Sequence, residues 1–313
     1  MARRRSSPVH GLLVVDKPSG PTSHDVVAWA RRALGTRQVG HAGTLDPMAT
    51  GVRVLAVGEG TKLVRWLTRE DKAYRAELAL GVETDTLDAE GQPVERAAVP
   101  PFDDADLARV AATWRGPQRQ RPPAYSAIKV AGKAAHARAR AGEAMELPTR
   151  DVTVHELRVE RSGPGRLSIA VRASKGFFVR ALGRDLARGL GTRGHLVALR
   201  RVASGPYRVE EAVDGEVLRA AAGGGNGAAR DSVVGALHPL EAITRSLPAV
   251  HLTSAGAEDA RHGRPLLATR GAAGSPGAER APAVALLDPA GRLIAVGVGH
   301  EGGFRVLRGL RRA

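Results

Sequence analysis

Between Thr36 and Gly51 the chain loses all apolar periodicity, and Gly40, Gly43, Pro47 and Gly51 punctuate the run instead. A loop of that length has no hydrophobic face of its own to bury, so regular elements on both sides must hold it. No other feature limits the fold as much. Upstream, Gly11 to Val15 is a short buried strand stopped by the turn Lys17-Pro18-Ser19-Gly20-Pro21. Thr22, with Asp25 three residues on, caps a helix whose stripe is Val26, Val27, Ala30 and Leu34 and which ends at Gly35. Downstream, Val52 to Val57 is a strand, Thr61 opens a short helix through Leu67, and Tyr74, Ala76, Leu78 and Leu80 alternate as a half-buried strand. Asp85 to Gly91 reads as an acidic turn.

Further along, Leu107, Val110, Ala111 and Trp114 make a helical face, followed by the irregular segment from Pro117 to Lys129 and a basic helix over Ala134 to Ala141. Val152-Val154-Leu157 and Leu167-Ile169-Val171 read as strands, and the helix after Phe178 carries Leu182, Leu186 and Leu190 on one face. Ala220 to Arg230 is Ala/Gly-rich and reads as a flexible insertion. From Leu247 onward short apolar runs alternate with Gly/Pro turns, which predicts a small β-rich domain with a mobile loop at Gly271 to Pro282. The expected class is α+β. Its parts are a disordered basic N-terminus (1–9), a main domain (10–246) and an appended small barrel (247–313).

The 47 Lys+Arg against 32 Asp+Glu leave a formal net charge of +15, which favours a polyanionic partner such as nucleic acid. Only six of those cations are Lys, so a general Arg bias contributes to the excess. The chain has no Cys, which excludes disulfides, thiolate zinc sites, iron–sulfur clusters and Cys nucleophiles. The run Leu12 to Val15 is too short for a leader or a membrane span, and the expected location is cytoplasmic.

Within the loop, small residues surround one carboxylate, Asp46, and one imidazole, His41. By spacing alone, an Asp before a Pro such as Asp46 is more often a turn former than a catalyst. No HExxH, phosphate loop or GxSxG accompanies it, so metalloprotease, NTPase and α/β-hydrolase chemistry lack their parts.

The run Gly40-His41-Ala42-Gly43-Thr44-Leu45-Asp46-Pro47-Met48-Ala49-Thr50-Gly51 resembles the G-H-x-G-x-L-D-P-x-A-T-G motif of TruB-type pseudouridine synthases. Four blocks follow the family's order: Gly11 to Pro18, Lys72-Ala73-Tyr74-Arg75, Pro123 to Lys129, and Ser174 to Arg180. The resemblance spans roughly residues 10 to 210. The C-terminal stretch is similar, more weakly, to a PUA-type RNA-binding barrel.

This resemblance implies a pseudouridine synthase fold, with a central mixed, largely antiparallel sheet flanked by helices and loops. The implied reaction isomerises the uridine at tRNA position 55 in the T-loop, breaking the N1–C1′ bond and rejoining the ring through C5. Asp46 is then the catalytic carboxylate, Arg180 its ion-pair partner, and Tyr74 the ring that stacks on uracil and takes part in removing the C5 proton. His41 fills the T-loop space left by the flipped base, Phe178 and Leu199 line the uracil pocket, and Lys17, with Lys129, supports the site or contacts phosphate. Three first steps stay open: attack of Asp46 on C1′, attack on C6, or deprotonation of the sugar. No cofactor, metal or obligatory protein partner is implied, and the expected state is a monomer acting on the tRNA T-arm. Phe178 stands where many members have Tyr, and Arg53 stands on a strand where the family usually has an aliphatic residue. The alternative is a non-catalytic tRNA-binding or tRNA-folding protein using the same basic cleft, against which the presence of Asp46 argues. Guide-RNA-dependent relatives share the central motif, but the block Pro123 to Lys129 favours the stand-alone form.

Overall fold

The computed structural model describes residues 9–126, 128–130, 133–134, 147–224, 227–266, 271–274, 277–300 and 302–311. The frame demanded by the loop is there. Strand β1 (Gly11–Lys17) leads through the turn into the helix Ser23–Ala33, and β2 (Val39–His41) and β3 (Thr50–Val57) bracket the loop. Thr22 and Asp25 form the capping box: the Asp25 N–H donates to Thr22 Oγ1 at 3.2 Å, and the Thr22 N–H donates to the Asp25 carboxylate at 2.8 Å.

Beyond β3, a short 3-10 turn and the helix Val64–Leu67 lead to β4 (Lys72–Leu80), and β5 (Val82–Thr84) pairs with β6 (Pro93–Arg96) as a side hairpin. After the helix Asp104–Ala112 come β7 (Gly116–Gln120) and the small hairpin β8 (Lys129–Val130) and β9 (Lys133–Ala134). A long hairpin follows, β10 (Arg150–Gly163) and β11 (Arg166–Ala173), then the helix Val179–Gly189 and β12 (Gly194–Ser204). Among the described residues one large sheet runs in the order Val213–Asp214, β1, β3, β12, β4, β11, β10, β7. All neighbours are antiparallel except β3 with β12 and β1 with Val213–Asp214. The expected α+β class with a mixed, largely antiparallel sheet is therefore met.

Alternation along β3 explains how the sheet is covered. Val52, Val54 and Ala56 face one core with Leu12 and Val14, whereas Leu55 and Val57 face the other with Val26, Val27 and Ala30 of the helix Ser23–Ala33. The helix Val179–Gly189 buries Leu182 and Leu186 against Leu78, Leu167 and Leu196 of the sheet. A second sheet, in the order Gly271–Gly274, Ala249–Leu252, Val284–Leu287, Leu293–His300, Gly303–Gly309, forms the C-terminal part. Ala285, Leu287, Leu293 and Val296 share a core with Leu12, Val14, Trp66 and Ile243, so this sheet is docked on the main one.

Two expectations need revision. The Ala/Gly-rich stretch begins in the helix Gly215–Ala222 and ends in the helix Gly227–Gly235, with residues 225–226 outside the described residues, and Leu218, Ala221 and Val233 of these helices are buried with Val26 and Ala30. Alanine is the strongest helix former, and two or three apolar side chains suffice to pin such a segment to a core. The expected mobile loop at Gly271 to Pro282 begins as the strand Gly271–Gly274, paired with Ala249–Leu252. The basic helix expected over Ala134 to Ala141 lies, beyond residue 134, outside the described residues, as does the N-terminus before residue 9.

Candidate active site

The loop between β2 and β3 is fixed by its own backbone and by two side chains from upstream. The Ala42 N–H donates to the Val54 carbonyl at 3.0 Å, and the Gly20 N–H donates to the Pro47 carbonyl at 2.9 Å. Ser23 Oγ, at the first turn of its helix, donates to the Leu45 carbonyl at 2.8 Å and accepts from the Leu45 N–H at 3.0 Å. Lys17 Nζ donates to the carbonyls of Pro18, Pro47 and Ala49 at 2.8, 2.9 and 2.8 Å. All three ammonium protons are taken and the side chain has no solvent exposure, so of the two roles offered for Lys17 the geometry is that of a support, a clamp on the loop. Gly51 closes the loop at φ +101°, where any Cβ would collide with the Arg201 carbonyl of the parallel neighbour β12.

Thus held, Asp46 opens onto a cavity of about 610 Å³ whose walls include Tyr74, Phe178, Arg180 and Leu199. The wall residues come from β4, β12 and the start of the helix Val179–Gly189, each for a local reason. Tyr74 lies on β4 in register with Arg201 of β12, and Leu199 lies two residues earlier on β12, opposite Ala76. Phe178 is the extended residue before the helix Val179–Gly189, where Gln120 binds its N–H at 2.8 Å and its carbonyl at 3.0 Å. Its ring lies 5.7 Å from the Arg150 guanidinium. Arg180 sits in the first turn of that helix and is buried.

Arg180 Nε is 2.9 Å from Asp46 Oδ2. The contact is an ion pair without hydrogen-bond alignment, since Nε has no directed acceptor among the described residues. On its far side Nη1 is 3.2 Å from Asp88 Oδ2 and donates to the Thr86 carbonyl at 2.7 Å, while Nη2 donates to the Tyr125 carbonyl at 2.9 Å. The arginine therefore bridges two carboxylates while backbone carbonyls fix its plane. Asp88 is itself buried, held by Thr86 Oγ1 at 2.5 Å and the Glu90 N–H at 3.1 Å. Burial pushes the Asp46 carboxyl up from the usual carboxylate range, Arg180 pulls it back, and Asp88 adds to the rise.

His41 and Lys17 do not line the cavity. His41 ends β2 and meets the ring of His24 edge-on, with centroids 5.8 Å apart. Burial, then the Arg53 charge, pushes His41 down to about 4. Two charged residues escaped the sequence reading. Asp88 was hidden in an acidic turn, and Arg201 in a strand with no pattern to mark it. Arg201 is fully buried, donates to the Val52 carbonyl at 2.6 Å, and lines the cavity beside Lys72 and Lys175.

Residues 31–179 match the TruB family pseudouridylate synthase N-terminal domain, and residues 180–244 match the tRNA pseudouridylate synthase B C-terminal domain. The chain belongs to the TruB family. The tRNA pseudouridine synthase B of Corynebacterium aurimucosum is 43% identical over 290 residues, which is 91% of this chain and 91% of that protein. That of Thermobifida fusca is 42% identical over 301 residues, covering 93% of this chain and 95% of that protein. The chain is thus a pseudouridine synthase, an isomerase. Its fold also matches chains in two solved structures. One is an H/ACA RNP bound to a substrate RNA containing 2′-deoxyuridine, with a TM-score of 0.73, 22% identity, and coverage of 96% of this chain and 85% of that one. The other is a Cbf5-Nop10-Gar1 complex, with a TM-score of 0.72, 24% identity, and coverage of 96% and 84%.

Proposed function

We propose that this TruB-family enzyme acts on tRNA, at the uridine of position 55 in the T-loop, with Asp46 as the catalytic carboxylate. One observation carries the reading: a single carboxylate on the loop, ion-paired to a buried arginine, opens onto a cavity walled by Tyr74, Phe178 and Leu199. The reaction breaks the N1–C1′ bond, turns the uracil, joins C5 to C1′, and moves one proton from C5 to the ring nitrogens, so nothing is gained or lost. Arg180 keeps the Asp46 carboxylate charged and aimed against the desolvation that would protonate it. Tyr74 stacks on the uracil and takes part in removing the C5 proton, while Phe178 and Leu199 form the apolar wall. His41 occupies the T-loop space left when the target base flips, a step costing a few kcal/mol that stacking must offset.

Outside the cavity, Lys62, Arg261, Arg292, Arg308 and Arg311 line a second cleft with Glu59 and Asp288, which pair with Lys62, Arg261 and Arg292 and leave the cleft net positive, where the C-terminal sheet meets the main domain. A cleft of that charge suits phosphates of the same tRNA. The central claim is tested by Asp46→Asn, nearly isosteric but without the anionic oxygen. Single-turnover pseudouridine formation on unmodified tRNA should fall by roughly 10⁴-fold or more, with filter binding of the tRNA unchanged. A folded variant retaining a tenth of the wild-type rate would overturn the assignment of Asp46 as the catalytic carboxylate.

A further inference from the structure

Arg53 lies on the face of β3 that otherwise carries Leu55 and Val57 into the core under the helix Ser23–Ala33. It has no solvent exposure. Its Nη1 donates to the Gly43 carbonyl and its Nη2 reaches the Ser23 carbonyl at 3.5 Å, while Nε has no hydrogen-bond partner among the described residues. The charges of Arg201 and Lys17, both cations, lie close enough to oppose its own. A buried guanidinium served by carbonyls alone is a poor stabiliser, and an apolar side chain of similar volume in its place is commonly neutral or stabilising. Stability does not explain why this position holds a cation.

The carbonyls it touches do. Gly43 is a loop residue at φ +85°, a conformation that glycine enters and leaves freely, with no side chain of its own to lock it. Ser23 is the residue whose hydroxyl grips both backbone groups of Leu45, the neighbour of Asp46. Arg53 thus closes a brace from β3 to both ends of the short segment Gly43–Leu45, and that segment sets where the Asp46 carboxylate emerges. We infer that Arg53 is a positioning residue for the catalytic loop, fixing the backbone on which Asp46 stands. The inference rests on the proposed role of Asp46.

The test compares Arg53→Met and Arg53→Lys with Asp46→Asn in parallel, measuring thermal midpoint, tRNA dissociation constant and single-turnover rate. Arg53→Met should melt at or above the wild-type temperature, bind tRNA within about threefold of wild type, and react about 10- to 100-fold more slowly, as expected when a reacting group drifts by a fraction of an ångström to an ångström. Arg53→Lys keeps the charge but cannot span both carbonyls, so its rate should fall between the two. A lowered midpoint with rate and affinity falling together would mean ordinary packing and would overturn the inference. Wild-type turnover in a folded Arg53→Met protein would overturn it too. Should Arg53→Met fail to fold, Arg53→Lys decides: a wild-type rate there sinks the idea, and a loss of several-fold at unchanged affinity supports it. If Asp46→Asn is itself active, the reading of the site has failed. If Asp46→Asn is inactive and Arg53 is indifferent, only the brace has failed.

Discussion

The two sides of the Asp46 loop are built on opposite electrostatic plans. On the cavity side, Arg180 is shared between Asp46 and Asp88, so one cation faces two carboxylates. Behind the loop, Lys17 and Arg53 are fully buried, and the hydrogen bonds of their charged groups run to backbone carbonyls. A carboxylate partner fixes a charge and shifts its titration, whereas carbonyl partners fix the backbone and leave the positive field intact. The first arrangement suits a group that must react, and the second suits a scaffold that must hold a loop still while a polyanion approaches.

If this division is right, the largest effects belong to the cavity side and appear in rate. Asp46→Asn heads the series. Arg180→Lys should follow, because lysine keeps one charge but cannot reach Asp46, Asp88 and two carbonyls together. A misplacement of about 1 Å costs on the order of 10²-fold in turnover. The measurement is again single-turnover formation of pseudouridine at saturating enzyme. A rate within threefold of wild type would show that a point charge is sufficient and that the two-carboxylate bridge is incidental.

Much of the cavity side was legible in the sequence, because Asp46, Tyr74, Phe178 and Arg180 sit in short blocks whose local patterns also place them on a loop, a strand, a strand-to-helix junction and a helix. The rear was not. Arg53 on an apolar strand reads as an interruption, because its partners, Gly43 and Ser23, are brought to it only by tertiary packing. Asp88 reads as a turn residue for the same reason: its contact with Arg180 joins segments far apart in the chain, and no local spacing records it. The Ala/Gly-rich stretch failed differently, since composition suggested looseness where Leu218, Ala221 and Val233 had a core to join.

A smaller effect concerns affinity, and it probes whether the positive field reaches beyond the loop. Arg308 lines the cleft between the C-terminal sheet and the main domain and is exposed. If it neutralises one phosphate, Arg308→Gln should weaken tRNA binding several-fold and reduce the slope of log affinity against log salt by about 0.7 to 0.9, with the single-turnover rate at saturation unchanged. An unchanged slope would confine the RNA footprint to the catalytic face.

His41 gives the smallest effect and tests the rear most directly, because burial and the Arg53 charge together push its imidazole down from an ordinary 6.5 to about 4. Between those values the unfolded chain binds a proton that the folded chain refuses. Stability therefore rises with pH across that window and is lost as pH falls from about 6.5 towards 4. Replacing the imidazole with an amide that does not titrate removes this one contribution and leaves every other carboxylate and histidine in place. At about 1.4 kcal/mol per pH unit, discounted for the partial exposure of the ring, His41→Asn should narrow the stability difference between pH 7 and pH 4.5 by about 1–2 kcal/mol. Urea unfolding at the two pH values, with wild type and variant side by side, reads that difference directly. Arg53→Met should narrow it too, by less, because burial of the ring remains when the nearby charge is gone. Equal pH dependence in wild type and His41→Asn would mean that the imidazole titrates normally, and that the cations behind the loop hold its backbone without shaping the charge of the residues it carries.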